Sequence, residues 1–240
     1  MSAYASYALL PSRWWWVIMV VVVGIACYVA QVFFTLPDIR SLRTTNPAST
    51  AFIDMRVAEA QQKGIIKRHI QYWVPYEQIS PHLKHAVLAA QDATFFSREG
   101  VDFGKLLNYV EMNWKKKELT NQGGTTLTQQ LAKNLYSSSS ENQFFKLREL
   151  FIVQQLETEL SKKHRIFEIY LNVIEWGDGV WGAEAAARMY FRIPASKLNR
   201  EQAALLAAVI ANSRLPANPS KRLLRRQQFI LDRMDNVELP

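Results

Sequence analysis

The sequence predicts a predominantly α-helical domain carried behind one membrane-spanning helix. Three observations lead there. Residues 14–34 read WWWVIMVVVVGIACYVAQVFF, 21 residues without a charge. Beyond them, apolar residues recur at three- and four-residue spacing between helix start and stop signals. Strand signal is nearly absent, with one short β-branched and aromatic run at 68–75. The composition agrees, since 49% apolar and 21% charged residues allow an ordinary core and exclude global disorder. A net charge of +8 points to an anionic partner: nucleic acid, a membrane surface or a phosphorylated substrate. Cys27 is the single cysteine, which excludes an intramolecular disulfide and a cysteine-based metal site.

Residues 1–13 form a short tail. About 20 apolar residues cross the hydrocarbon core of a bilayer, so 14–34 suffices. Trp14, Trp15 and Trp16 at one end and Phe33 and Phe34 at the other suit the two interfaces. The run is long for the apolar part of a signal peptide and lacks a small-x-small cleavage site. Gly24, three residues before Cys27, does not fit a lipoprotein signal. The span is therefore read as uncleaved. Arg13 before it, against Asp38, Arg40 and Arg43 after it, leaves its orientation undecided.

Residues 35–48, with Pro37 and Pro47, read as a linker, and 49–240 as the folded domain. Ser49 or Thr50 caps a helix to Lys63, closed by Gly64. Residues 68–75 are extended. Ser80 as N-cap and Pro81 in the first turn start the next helix, which runs through Ala86, Val87, Leu88, Ala89 and Ala90 into Gln91 and Asp92. Phe95 and Phe96 follow, then a turn at Glu99-Gly100. Asp102 caps a helix over 103–117, with Phe103, Leu106, Leu107, Val110 and Trp114 on one face and Lys115, Lys116 and Lys117 at its end. That face suits a core, or the interface of an anionic membrane. Helices follow at about 125–136, 143–160 and 166–176. Gly177, Gly179 and Gly182 break the chain, and helices resume at 183–191, 200–212 and 220–234.

The run 123–134, GGTTLTQQLAKN, is the most informative for chemistry. Two glycines entering a helix let backbone amides approach a ligand, and a helix N-terminus favours an anion. Thr126, Gln129, Gln130 and Lys133 follow the spacing of one helical face, which is polar and ends in a cation. This is a candidate site for an oxygen-rich anionic ligand. Lys146 and Glu149 share a face of the next helix, where an ordinary ion pair is the simplest account. Asn172 is placed to tie the glycine loop after it. His69, His82, His85 and His164 have no metal-ligand spacing with one another, and no Gly-x-Ser-x-Gly elbow is present.

AAQDATFF with GVD, GGTTLTQQLAKNLY, KLRE, EIYLNVIEWGDGVWGAEAAARMYF and LNREQAALLAAVIA stand in the order of a known motif series. On them the chain resembles the peptidoglycan glycosyltransferases (glycosyltransferase family 51), in the monofunctional biosynthetic form, over roughly residues 65–235. The resemblance implies a lysozyme-like α-helical fold with a head lobe and a membrane-proximal jaw that holds 103–117. It implies an inverting polymerisation of lipid II. The acceptor 4-hydroxyl attacks C1 of the lipid-diphosphate donor, a β-1,4 glycan grows and polyprenyl diphosphate leaves. It places the domain on the periplasmic or outer side of a bacterial cytoplasmic membrane. Implied partners are lipid II, the growing lipid-linked glycan, the membrane, a phosphoglycolipid inhibitor, and cell-wall synthases or division proteins, with no nucleic acid. A divalent cation, Mg or Mn, is allowed without being required.

Residue by residue, the resemblance gives Lys133 and Lys146 to the diphosphate. Glu149 becomes a second carboxylate near the leaving group, and Asp92, Thr126, Gln129, Gln130 and Asn134 become substrate-channel residues. The general base falls at position 91, where the family has glutamate and this chain has Gln91. Phe145 and Glu141 likewise stand where the family has arginine. Glutamine keeps the shape of glutamate but accepts no proton near neutral pH, and loss of a positioned base costs about 10²–10⁴ in rate. Asp92 is a poor substitute, because adjacent helical residues point about 100° apart. The expectation is a lipid II polymerase whose base has been substituted away. The alternative is a natural non-catalytic, membrane-tethered binding or scaffold relative. A nucleic-acid adaptor rests on net charge alone.

Overall fold

The computed structural model describes residues 12–65, 69–98, 126–137, 143–160, 162–210 and 220–240, with the side chains of 12–13 and 143–147 outside the description. The chain divides into two units, Met1–Pro37 and Asp38–Pro240.

The first unit is helix α1, Ser12–Phe34. Among the described residues it is the one helix long and apolar enough to cross a membrane. Most of its large side chains are exposed, Val20 and Trp16 at 69%, with Val32 near its end buried. A helix apolar all round has no polar face to give to water, which is the pattern of a span whose solvent is lipid.

The second unit contains α2 (Ala51–Gln62), α3 (Pro81–Gln91), α4 (Leu127–Tyr136), α5 (Gln143–Glu159), α6 (Lys163–Val173), α7 (Ala183–Phe191), α8 (Arg200–Val209) and α9 (Lys221–Leu231). Helix α6 is the centre. Ile166, Phe167, Ile169, Tyr170, Leu171, Asn172 and Val173 are all buried, and α4, α5 and α7 pack around it. On another side α3 packs against α8, and α8 against α9. Ala203, Ala204, Ala207 and Ala208 make the buried face of α8, so small side chains set how closely these helices approach.

Local chemistry sets the helix starts. Thr50 caps α2 by accepting from the Ile53 N–H at 3.1 Å. Gly64 closes that helix at φ +65°. Ser80 precedes α3 as expected, but its hydroxyl does not cap the helix. It donates to the Leu198 carbonyl at 2.8 Å and ties α3 to the turn before α8.

A small sheet was not foreseen. Strands β1 (Ile70–Gln71), β2 (Glu175–Gly177) and β3 (Val180–Trp181) lie in the order β1-β3-β2. β1 runs parallel to β3, with Ile70 opposite Val180, and β2 and β3 form an irregular antiparallel hairpin. The helix expected to reach Trp176 ends at Val173 because the chain turns into this hairpin. Asn172 holds the junction. Its side chain accepts from the Val74 N–H and donates to the carbonyls of Val74 and Glu168, while its own carbonyl accepts from Gln71. Gly182 sits at φ +83°, and a Cβ there would lie 2.7 Å from the Asn172 carbonyl oxygen, so only glycine fits.

Residues 38–46, expected as part of a linker, are docked on the domain. Arg40 and Arg43 pair with Glu159 at the end of α5. Arg165 of α6 donates to the carbonyls of Leu42 and Thr45 and to the Asn46 side chain. Proline and polar content alone do not distinguish such a strap from a free linker.

Candidate functional site

Helices α3, α4, α5 and α6 meet where α3 ends, and neighbouring residues there are treated in opposite ways. Asp92 leaves the helix at φ −161° and is buried. Its Oδ2 accepts from Arg98 Nη1 at 2.6 Å and from the Leu127 N–H at 3.1 Å. The second contact places a carboxylate at the N-terminus of α4, where the helix dipole favours an anion. Arg98 also faces Glu157 Oε1 of α5 at 3.7 Å, and the Thr128 hydroxyl donates to that same oxygen. Lys163 of α6 donates to the carbonyls of Phe95 and Arg98. Phe95 meets Phe167 at a tilt and Phe96 meets it edge to face, each with ring centroids 6.0 Å apart. One polar network and one aromatic cluster thus fix the loop that follows α3.

Gln91, the last residue of α3, takes part in a separate line of bonds. Gln130 Nε2 of α4 donates to Gln91 Oε1 at 3.2 Å. The Tyr170 hydroxyl of α6 donates to Gln130 Oε1 at 2.8 Å. Complete burial, and secondarily the charge of Asp92, raise the Tyr170 ionisation far above the usual phenol range, so it stays a neutral hydroxyl. Among the described residues the line stops at Gln91, whose Nε2 is buried without a hydrogen-bond partner there.

The other residues singled out in the sequence divide into groups. Thr126 and Gln129 are buried in a capping box. Thr126 Oγ1 accepts from the Gln129 N–H at 3.3 Å, and Gln129 Oε1 accepts from the Thr126 N–H at 2.9 Å. Their polar atoms are spent on starting α4. Lys133 and Asn134 are half-buried further along α4, and Asn134 donates to the Gln130 carbonyl at 2.9 Å. Glu149 is half-buried on α5, which packs along α4. Lys146 lies on α5 with its side chain outside the described residues, as does that of Phe145. Gly123, Gly124, Glu141 and the helix expected at 103–117 also fall outside them. Among the described residues no three His, Cys, Asp or Glu side chains gather as a metal site, and Asp92 is committed to Arg98 and α4.

Sequence reasoning missed Arg98, Glu157 and Tyr170. Gln91 and Gln130 are 39 residues apart, and Gln130 and Tyr170 are 40 apart, so no local spacing marks them.

A helical domain with a buried polar junction thus follows a helix long and apolar enough to cross a bilayer. The transglycosylase family model matches residues 58–235, and the chain belongs to that family. A biosynthetic peptidoglycan transglycosylase of Nitrosospira multiformis is 44% identical over 230 residues, covering 95% of this chain and 98% of that protein. The protein of that name from Chromobacterium violaceum is 44% identical over 218 residues, 90% of this chain and 95% of its own. A third, from Nitrosomonas eutropha, is 43% identical over 233 residues, 96% and 94% of the two. The chain is therefore a glycosyltransferase by family, with the junction at the end of α3 inside the matched region.

Proposed function

We propose that this protein is a peptidoglycan glycosyltransferase of the lipid II-polymerising kind, held to the cytoplasmic membrane by α1 with its domain on the outer side. Position 91 is the seat of the general base, occupied here by a residue that cannot act as one. In the intact reaction a carboxylate at 91 removes the proton from the acceptor 4-hydroxyl as that oxygen attacks C1 of the donor. The C1–O bond to the diphosphate breaks, and polyprenyl diphosphate leaves. Lys133 and Lys146 take up charge on the diphosphate, Glu149 stands near the leaving group, and Gln130 and Asn134 of α4 line the sugar path.

The observation that carries this reading is the environment of Gln91. Gln130 brings a donor to it, and its other polar atom is buried with no hydrogen-bond partner among the described residues. A carboxylate would take the Gln130 N–H on one oxygen. The other oxygen would keep its lone pairs in a setting poor in water, where a carboxylate becomes more basic. Glutamine keeps the length and loses the basicity.

The test uses the full chain in detergent with labelled lipid II. Both this chain and its Gln91→Glu variant are expected to bind lipid II. Only the variant is expected to release polyprenyl diphosphate and build a glycan that a muramidase degrades. A Gln91→Glu protein that binds lipid II and makes no glycan would overturn the reading in favour of a scaffold role.

A further inference from the structure

The reaction above leaves Tyr170 without a task, yet it is fully buried and its hydroxyl is spent on one side chain. We propose that Tyr170 and Gln130 are positioning residues, forming a one-way hydrogen-bond relay that orients the general base at position 91 and holds it as an acceptor. The inference rests on the reading of position 91 as the base.

The relay follows from what each group can do. A carboxylate at 91 only accepts. It therefore needs Gln130 to turn its Nε2 toward it. The Oε1 of that amide then points the other way, toward α6, and needs a donor. Tyr170 supplies one at 2.8 Å. Donor and acceptor roles across α6, α4 and α3 have one consistent order when residue 91 is a carboxylate. With glutamine at 91 the order fails at its end: whichever way the amide is turned, one polar atom meets Gln130 and the other meets no partner among the described residues. The phenol is suited to the task because its ring is locked in the core helix. The amide beside it is free to rotate unless something holds its oxygen. The relay also sets the length of the base. Aspartate at 91 would fall one methylene short of Gln130.

The charged and titratable side chains on the elements that meet here are His82, Lys84 and His85 on α3, Asp92 with Arg98 after it, Lys133 on α4, Lys146, Arg148, Glu149, Glu157 and Glu159 on α5, and Lys163, His164, Arg165 and Glu168 on α6, besides the tyrosines. All stay in place in the variants below, so a change in the pH profile reports the relay.

The experiment starts from the full chain carrying Gln91→Glu and measures kcat and KM for lipid II from acid to alkaline pH. Adding Tyr170→Phe frees the Gln130 amide, weakens its donation to the carboxylate and lets the base protonate more readily. The acid limb of the kcat profile should move to higher pH, and kcat should fall several-fold at neutral pH with KM within about twofold. Adding Gln130→Met removes the donor itself. It should move the limb further in the same direction, by about one pH unit, which is about a tenfold change in the protonation equilibrium. Gln91→Asp should restore far less activity than Gln91→Glu. A purely structural Tyr170 would lower the thermal midpoint and leave the acid limb where it was. An unmoved limb in Tyr170→Phe, or in Gln130→Met should the first variant not fold, overturns the relay while the base assignment stands. A Gln91→Glu chain that binds lipid II without turning it over removes the base assignment and the relay together.

Discussion

Gln91 and Asp92 are adjacent in sequence and opposite in bonding. Asp92 is buried with a guanidinium and the N-terminus of α4, in a network that continues to α5. The Gln91 side chain has one bond from Gln130 and a buried amide nitrogen with none among the described residues. The fold completes the first residue and leaves the second unfinished. A group whose contacts are complete holds structure together. A group left one partner short at the meeting of three helices is open to a further role, here the one proposed for position 91. On the proposed reading Asp92 is the structural anion and position 91 the chemical one, although the two look alike as a polar pair ending an apolar helix.

The contrast can be broken from either side. Arg98→Met should have the largest effect on stability, because it strands Asp92 and Glu157, both nearly buried, without their shared cation. Loss of one partner from a buried ion pair costs about 3–5 kcal/mol, so thermal unfolding should show a midpoint lower by roughly 10 °C.

Alkaline pH gives the next effect. Tyr170 ionises far above its usual range in the folded protein, and burial pushes Tyr76 and Tyr136 up to about 12. An unfolded tyrosine releases its proton near pH 10. The stability these groups contribute is therefore fully present below about pH 10 and is lost as pH rises through their folded values. Unfolding followed from pH 9 to 12 should show falling stability above 10. Tyr170→Phe should flatten that fall by up to about 1.4 kcal/mol per pH unit.

Gln129→Ala should cost about 1 kcal/mol through loss of the reciprocal cap on α4, seen as a small drop in the same thermal midpoint. Gln91→Met should have the smallest effect, within about 0.5 kcal/mol, because it deletes an unsatisfied buried donor and strands the Gln130 N–H in exchange. A large loss of stability from Gln91→Met would erase the distinction between the two residues.

Much of this architecture was legible in the sequence because it is written locally. Thr50 and Gly64 bracket α2 as read. The glycines at 177, 179 and 182 marked the break after α6. What was not legible is short or distant. Strands of two or three residues carry no measurable alternation: 70–71 lies in the run that reads as extended, but 175–177 reads as helix end and glycine break and 180–181 as loop, so the pairing into a sheet is not legible. The polar face of 126–133 was legible as a face, but not its division. Thr126 and Gln129 cap each other, and Gln130 reaches across to α3 and α6. Arg98 is six residues from Asp92, a spacing that signals nothing until the loop folds back. Ser80 shows the converse: a cap recognisable in sequence turned its hydroxyl to Leu198, because a tertiary partner was in reach.

The claim that position 91 is where the reaction loses its proton is tested most directly by one ratio. It is the initial rate of glycan formation by the Gln91→Glu chain over that of the chain as it stands, at equal lipid II binding. A ratio of about 10² or more is expected from restoring a positioned base. A ratio near one, with both proteins folded and bound to lipid II, would contradict the account.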